Sequence, residues 1–297
     1  MVVGIAAVCG ASVWGVAWYR SRSLTTAALL RRMPAHDALV VYIDFSQLRR
    51  AGILQLLDGS KAGEDPEYRN FVRQTRFDYK NDLDAALVAF APTGRFLLVQ
   101  GRFDWKRLHA YVESQHGKCL NGFCSMTGST PERRISFFPV RSNLMALAVS
   151  PDESAALRLQ DAPSGPDPQV PAAPVWLSIP TSVLKSSDSL PAGTRVFARS
   201  MEQAETVTLA FAPEGHGLAA RLDVRCRDDR AAADLASQLT RTTSLLLEMM
   251  EREHQKPNPA DLSGVLTAGA FRSEGRRVLG YWPIEQAFVQ NVLGGSY

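Results

Sequence analysis

Six lysines, four cysteines and no recognisable catalytic signature are carried by 297 residues. Four cysteines are too few to staple a chain of this length as a disulfide scaffold. A hydrophobic share of 45% and a charged share of 21% exclude a disordered tail and a collagen-like rod. The length is enough to bury one large core or two smaller ones. Arginine outnumbers lysine 27 to six, yet the formal net charge is only +3. The basic excess is local. Residues 20–50 hold Arg20, Arg22, Arg31, Arg32, Arg49 and Arg50 against Asp37 and Asp44, which leaves 27 basic and 28 acidic residues elsewhere. A nucleic-acid-binding domain presents a basic face or stripe. With a body so close to neutral, no nucleic-acid partner is expected.

Several active-site signatures are missing. There is no G-x-x-x-x-G-K-[ST] or G-x-G-x-x-G phosphate loop. There is no G-x-S-x-G elbow and no H-E-x-x-H pair. No catalytic, cofactor-binding or metal-ligating residue is therefore assigned, and no cofactor is expected. The polar clusters read as surface. His36-Asp37 lacks the further ligands of a metal phosphohydrolase. His109, Glu113 and His116 share one side of a helix at i, i+4 and i+7, a geometry that can bind a metal. Trp105, Leu108 and Val112 define the core stripe of that helix, however, so the three polar residues read as its solvated flank. Glu64, Asp65 and Glu67 lack the regular oxygen spacing of a calcium loop. Arg76, Asp78, Lys80, Asp82 and Asp84 form a polar run leading into a strand.

What the chain does have begins at its N-terminus. Residues 1–19 carry no charged side chain. In helical form they span about 28 Å, close to a hydrocarbon core of roughly 30 Å. Trp14, Trp18 and Tyr19 gather at one end like an interfacial belt, and Arg20 and Arg22 stop the run. Residues 1–22 read as a membrane anchor. A cleaved signal peptide and a buried helix are the competing readings, and a signal peptide normally carries a basic n-region. The arginines after the run favour a cytoplasmic body by the positive-inside rule.

The cysteines argue the other way. Cys119 and Cys124 flank Asn121-Gly122, the strongest short signal for a type I′ hairpin. That turn places the two cysteines opposite each other at a non-hydrogen-bonded pair, where Cα atoms are about 4.5 Å apart. A structural disulfide between Cys119 and Cys124 is expected, with free thiols or half of a metal site as alternatives. A disulfide puts the body outside the cytoplasm, periplasmic or extracellular. Cys226 lies in an apparent strand and reads as an inert buried thiol.

An internal repeat organises the body. Ala89-Phe90-Ala91-Pro92-Thr93-Gly94 matches Ala210-Phe211-Ala212-Pro213-Glu214-Gly215. Each Pro-x-Gly reads as a tight turn between antiparallel strands. Each is followed by a strand and then by a helix capped by Asp, Asp104 or Asp228. Upstream, Leu39–Asp44 and Val175–Ile179 each read as a strand running into a helix. Each half follows the order β-α-β-β-α-β with extra elements, the ferredoxin-like signature. The expected fold is α+β, two tandem ferredoxin-like repeats after the N-terminal transmembrane helix. The repeats occupy residues 23–160 and 175–297, and the proline-rich residues 161–174 join them as a stiff linker. Residues 59–66 form a second loop. A long helix from Asp228 to about His254 carries an apolar stripe of Ala231, Leu235, Leu239, Leu246 and Met250, widened by Leu245 and Met249.

Three further stretches have a familiar pattern: Val-Val-Tyr-Ile-Asp-Phe-Ser-Gln-Leu (40–48), Gly-Arg-Phe-Asp-Trp-Lys-Arg-Leu (101–108) and Glu-Gly-Arg-Arg-Val-Leu-Gly-Tyr-Trp-Pro-Ile (274–284). With the anchor, they make the chain resemble uncharacterised membrane-anchored bacterial envelope proteins of a domain-of-unknown-function class. The shared features are turns, caps and strand ends. The resemblance implies an envelope location and brings no catalytic residue with it. The functional expectation is a membrane-anchored, extracytoplasmic, non-catalytic protein that binds a protein partner or scaffolds an envelope assembly. The alternatives are a hydrolase or a small-ligand-binding module with its site between the two repeats.

Overall fold

The strand segments at 39–44, 83–91, 94–101 and 144–150 are largely apolar runs, as suits strands covered on both faces, and they pair into one sheet. The structure is a computed structural model that describes residues 24–54, 66–128, 130, 132–185, 192–215 and 217–294. The anchor at 1–22 and most of the 59–66 loop lie outside the described residues. Among the described residues, no helix is long and apolar enough to cross a membrane.

The first half contains α1 (Thr26–Leu30), β1 (Leu39–Asp44), α2 (Phe45–Arg50), α3 (Pro66–Thr75), α4 (Tyr79–Asp82), β2 (Leu83–Ala91) and β3 (Gly94–Gly101). It continues with α5 (Trp105–Ser114), β4 (Lys118–Leu120), β5 (Phe123–Thr127), β6 (Arg134–Arg141), β7 (Leu144–Ser150) and a 3-10 turn at Ala155–Leu159. The second half contains β8 (Val175–Ile179), α6 (Thr181–Lys185), α7 (Ala192–Ser200), β9 (Thr206–Glu214) and β10 (Gly217–Arg225). It ends with α8 (Asp229–Arg252), α9 (Leu262–Thr267), β11 (Ala270–Glu274), β12 (Arg277–Ile284) and α10 (Gln286–Gly294).

These strands form a 12-stranded sheet in the order β11-β12-β10-β9-β8-β1-β2-β3-β7-β6-β5-β4. Each ladder is antiparallel. The α+β class and the repeated element order hold, but the ferredoxin-like arrangement is corrected. A split βαβ unit returns its crossover strand parallel, with another strand between. Here the helices after β1 return the chain antiparallel and directly beside it, and the same happens after β8. The order of elements along the chain is the same for both arrangements.

The halves meet strand to strand. Val40 pairs with Ser178 and Tyr42 with Trp176. Tyr42 stacks on the Trp176 ring at 5.6 Å, and Trp176 is 1% exposed. The core of the first half therefore includes Trp176 and Ala210 from the second. Residues 161–174 run along this junction. Pro174 O accepts from Asp44 N at 2.7 Å. Arg31 pairs with Asp167 at 3.1 Å and donates to Gly165 O at 2.7 Å, while Arg32 donates to Leu159 O at 3.3 Å. Arg31 thus holds the proline-rich segment, and Arg32 holds the end of the 3-10 turn just before it.

The two faces differ. On one face of the first half, Val40, Leu87, Phe96, Leu98 and Ala146 pack with Leu29 and Met33 of the N-terminal segment and with Leu159. Ser136 Oγ accepts from Ala156 N at 3.2 Å and fixes the 3-10 turn over this face. The opposite face carries α3 and α5 at one end, over Phe137 and Met145. At the other end it carries α7 and α8, over Val207, Leu222, Val224 and Trp282.

The local devices follow the sequence closely. Asp104 and Asp228 cap α5 and α8, accepting from Arg107 N at 3.1 Å and Ala231 N at 2.7 Å. Pro92-Thr93 makes the first expected turn, and Gly94 closes it at φ 146°. A Cβ at Gly94 would lie 2.7 Å from Val149 O, so only glycine fits. In the second repeat the turn falls two residues later, after Glu214. On α8, Leu235 and Leu239 are buried as expected. Leu245 and Met249 instead face solvent, because Thr242 and Thr243 take the buried positions between them.

A shared core predicts shared stability. Trp176→Ala is expected to cost about 3–5 kcal/mol, the range for removing a large buried aromatic side chain. Hydrogen exchange should quicken in β3 and β10 together, within one urea transition. Loss of protection confined to the second half would contradict this.

Candidate functional site

A cavity of about 460 Å³ lies within the first half, between the sheet and the helices α3 and α5. Its floor comes from Val99, Met126, Ile135, Phe137, Met145 and Leu147, all on one face by strand alternation. Its roof comes from Tyr68 and Phe71 on α3 and from Leu108 and Tyr111 on α5. Phe77 and Phe103 close one side.

Aromatic side chains pack around the cavity, while Leu108 and Val112 of α5 rest on the sheet. Phe71 meets Tyr111 edge-on at 5.2 Å, and Phe77 stacks on Phe103 at 5.5 Å. Rings in these orientations favour contact with one another, so they tie α3, α5 and the chain between them together at the cavity. Local hydrogen bonds fix this arrangement. Thr75 Oγ1 donates to Phe71 O at 2.8 Å and accepts from Phe77 N at 3.2 Å, which ends α3 and turns the chain beneath it. Trp105 Nε1 donates to Ser142 O at 2.9 Å and pins the start of α5 to the β6–β7 turn.

A polar groove shares Phe77 and Phe103 with the cavity and is lined further by Arg76, Arg102, Arg107, Asp82 and Asp104. Arg102 pairs with Asp82 at 3.1 Å and Arg107 with Asp104 at 3.0 Å. Arg76 sits at φ 58° and has no carboxylate partner among the described residues. Three guanidinium groups against two carboxylates leave this rim with an excess positive charge. The site is an apolar chamber beside a cationic edge.

A larger groove of about 850 Å³ lies on the opposite face of the second half, beside Gln169–Ala173. Arg277 holds Asp223 through two hydrogen bonds, one at 3.0 Å, and Arg221 pairs with Glu214 at 3.3 Å. Arg225 also lines this groove. Its lining is more polar than that of the apolar chamber.

Proton affinities are displaced for scattered reasons. Burial raises Tyr42, Tyr68 and Cys226. A hydrogen bond to Glu214 raises Tyr281, and one to Asp223 raises Arg277. Hydroxyl partners Ser154 and Ser263 lower Asp152 and Asp261. Of these, Tyr68 lines the cavity.

The residues singled out from sequence are dispersed. Cys119 and Cys124 are bonded, at paired positions across the Asn121-Gly122 turn. Both turn residues have positive φ, 50° and 84°. Cys226 is a free, buried thiol. Asp37 accepts from Ser182 Oγ at 2.6 Å, tying the N-terminal segment to the second half. Glu113 and His116 are exposed, whereas His109 turns inward toward the disulfide. Asp78 caps α4 through Lys80 N at 3.1 Å. Glu64 and Asp65 lie outside the described residues. The cavity aromatics were missed. Their signal was the density of rings at Tyr68, Phe71, Phe77, Phe103 and Tyr111 around one helix pair.

No protein-family model and no curated protein match this chain. Among solved structures it is similar to TP0453. Crystal form I superposes with a TM-score of 0.50 at 13% identity, over 92% of this chain and 100% of that one. Crystal form III does so with a TM-score of 0.50 at 10% identity, over 92% and 99%. At such identities the likeness speaks for a shared fold alone.

Proposed function

We propose that this is a membrane-anchored, extracytoplasmic, non-catalytic binding protein that holds an amphiphile, an apolar chain with an anionic head, in the cavity beneath α3 and α5. The cavity carries the reading. Its volume falls within the range of about 300–1,000 Å³ typical of small-molecule sites. Its walls are apolar but for the hydroxyls of Tyr68 and Tyr111. Arg76, Arg102 and Arg107 at the adjoining groove supply the charge that an anionic head needs. The cavity lies within one half of the sheet, whereas the small-ligand alternative read from sequence put its site between the two repeats. The uncharged run at 1–19 supports anchoring, and the Cys119–Cys124 disulfide supports an oxidising compartment.

The body lacking residues 1–22 is expected to be soluble and folded, and to bind one equivalent of a fluorescent long-chain fatty acid. Val99→Trp fills the floor and should weaken binding at least tenfold. Arg102→Glu with Arg107→Glu should weaken the free acid while leaving its methyl ester unchanged. Equal binding by the Val99→Trp body would overturn the cavity assignment. The compartment is tested by treating intact cells with a membrane-impermeant maleimide. Cys119 is expected to be labelled only after reduction. Two free cysteines protected from the reagent would place the body in the cytoplasm.

A further inference from the structure

The Cys119–Cys124 hairpin packs beside α5, and there it meets His109. One ligand atom from each of His109, Cys119 and Cys124 lies within 4.8 Å of the other two. Cys124 is fully buried and Cys119 and His109 are partly so. His109 Nε2 is buried and has no hydrogen-bond partner among the described residues. A buried ring nitrogen without a partner is costly, so its position beside two sulfurs calls for an explanation. The helical set read from sequence does not supply one, because Glu113 and His116 are exposed.

We propose that the reduced protein holds a thiophilic cation of the zinc class on His109, Cys119 and Cys124, and that the disulfide and the metal exclude each other. While the sulfurs are bonded to one another, neither can act as a thiolate. A dithiol reductant delivers two electrons and two protons, is itself oxidised to a disulfide, and leaves Cys119 and Cys124 as thiols. The cation then displaces one proton from each sulfur, and the neutral imidazole adds its lone pair. Around tetrahedral zinc, bonds of about 2.0–2.3 Å put neighbouring ligand atoms about 3.5–3.8 Å apart. The two sulfurs are bonded to one another in this structure and must part to reach that spacing, while the imidazole already lies within 4.8 Å of both. Three protein ligands leave a fourth position for water or an exogenous group. The ligands come from a capped helix and a tight hairpin, so the backbones that carry them are held before the ion arrives.

The test uses the full chain in mild detergent, reduced with a phosphine, which takes the sulfurs' oxidation as phosphine oxide with water as the oxygen source. Zinc is titrated against a chromophoric chelator. The reduced chain is expected to bind one equivalent, at least 100-fold more tightly than the oxidised chain. Cobalt(II) in its place should give thiolate charge-transfer and intense tetrahedral d–d bands. His109→Ala should keep both thiols by Ellman titration and lose at least tenfold in affinity. Cys119→Ser with Cys124→Ser should abolish binding, which also controls for Cys9 and Cys226. Equal affinity of the oxidised and reduced chains would overturn the proposal. So would parental affinity in His109→Ala, or a reduced chain whose near-ultraviolet circular dichroism collapses and is not restored by zinc.

Discussion

β1 is hydrogen-bonded along both edges, to β2 on one side and to β8 on the other, and this pairing constrains everything else. An unpaired strand edge in the middle of the molecule would expose backbone donors and acceptors and invite association. Joining β1 to β8 removes two such edges at once. It also aligns the side-chain alternation of the two halves, because paired residues in an antiparallel ladder point to the same face. Tyr42 and Trp176 then stack on one face, while Val41 and Leu177 lie on the other. The proline-rich segment between the halves is held against this junction by Arg31 and Asp44.

With one continuous sheet, the helical layers are left at its two ends. Above β9–β12 the long helix α8 packs Ala232, Leu235 and Leu239 in one core with Val224 and Val278. Above β3–β7 the roof is carried by α3 and α5, with large rings packed around the cavity. A dense interior tolerates few voids larger than a water molecule. The apolar chamber of about 460 Å³ is the place in this layer where a ligand has room, which is why the proposed function rests on it. The arginines at its edge narrow what that occupant is. The disulfide hairpin and His109 border the same core through Cys124, Leu108 and Phe137, so the proposed metal ligands lie next to the apolar chamber.

Much of the local structure was legible in the sequence. Asn121-Gly122 fixed the hairpin and with it the cysteine pairing. Asp104 and Asp228 announced their helices, and the Ala-Phe-Ala-Pro-x-Gly repeat put Phe90 and Phe211 on the same face of corresponding strands. The order of strands was not legible. A helical connection can return a strand parallel or antiparallel, and only the packing of Tyr42 on Trp176 and the ladders around it decide. Leu245 and Met249 were misread because helical periodicity admits residues on the flank of a stripe as readily as those at its centre. The cavity was hidden for a related reason: Phe71, Phe77 and Phe103 look like core residues, and a pattern of ring positions does not say whether they meet the sheet or stand off it. His109 was grouped with Glu113 and His116 by spacing along one helix, whereas its real neighbours lie on a hairpin that folds back.

The account stands or falls on whether the chamber takes an apolar chain. Two of the seven methionines, Met126 and Met145, line it, while Met33 and Met201 are buried in the other two cores. With methyl-labelled methionine and a spin-labelled fatty acid, nuclear magnetic resonance should show Met126 and Met145 broadened at one equivalent and Met33 and Met201 unchanged. Broadening of the exposed Met249 alone, or of no methionine at all, would contradict the account.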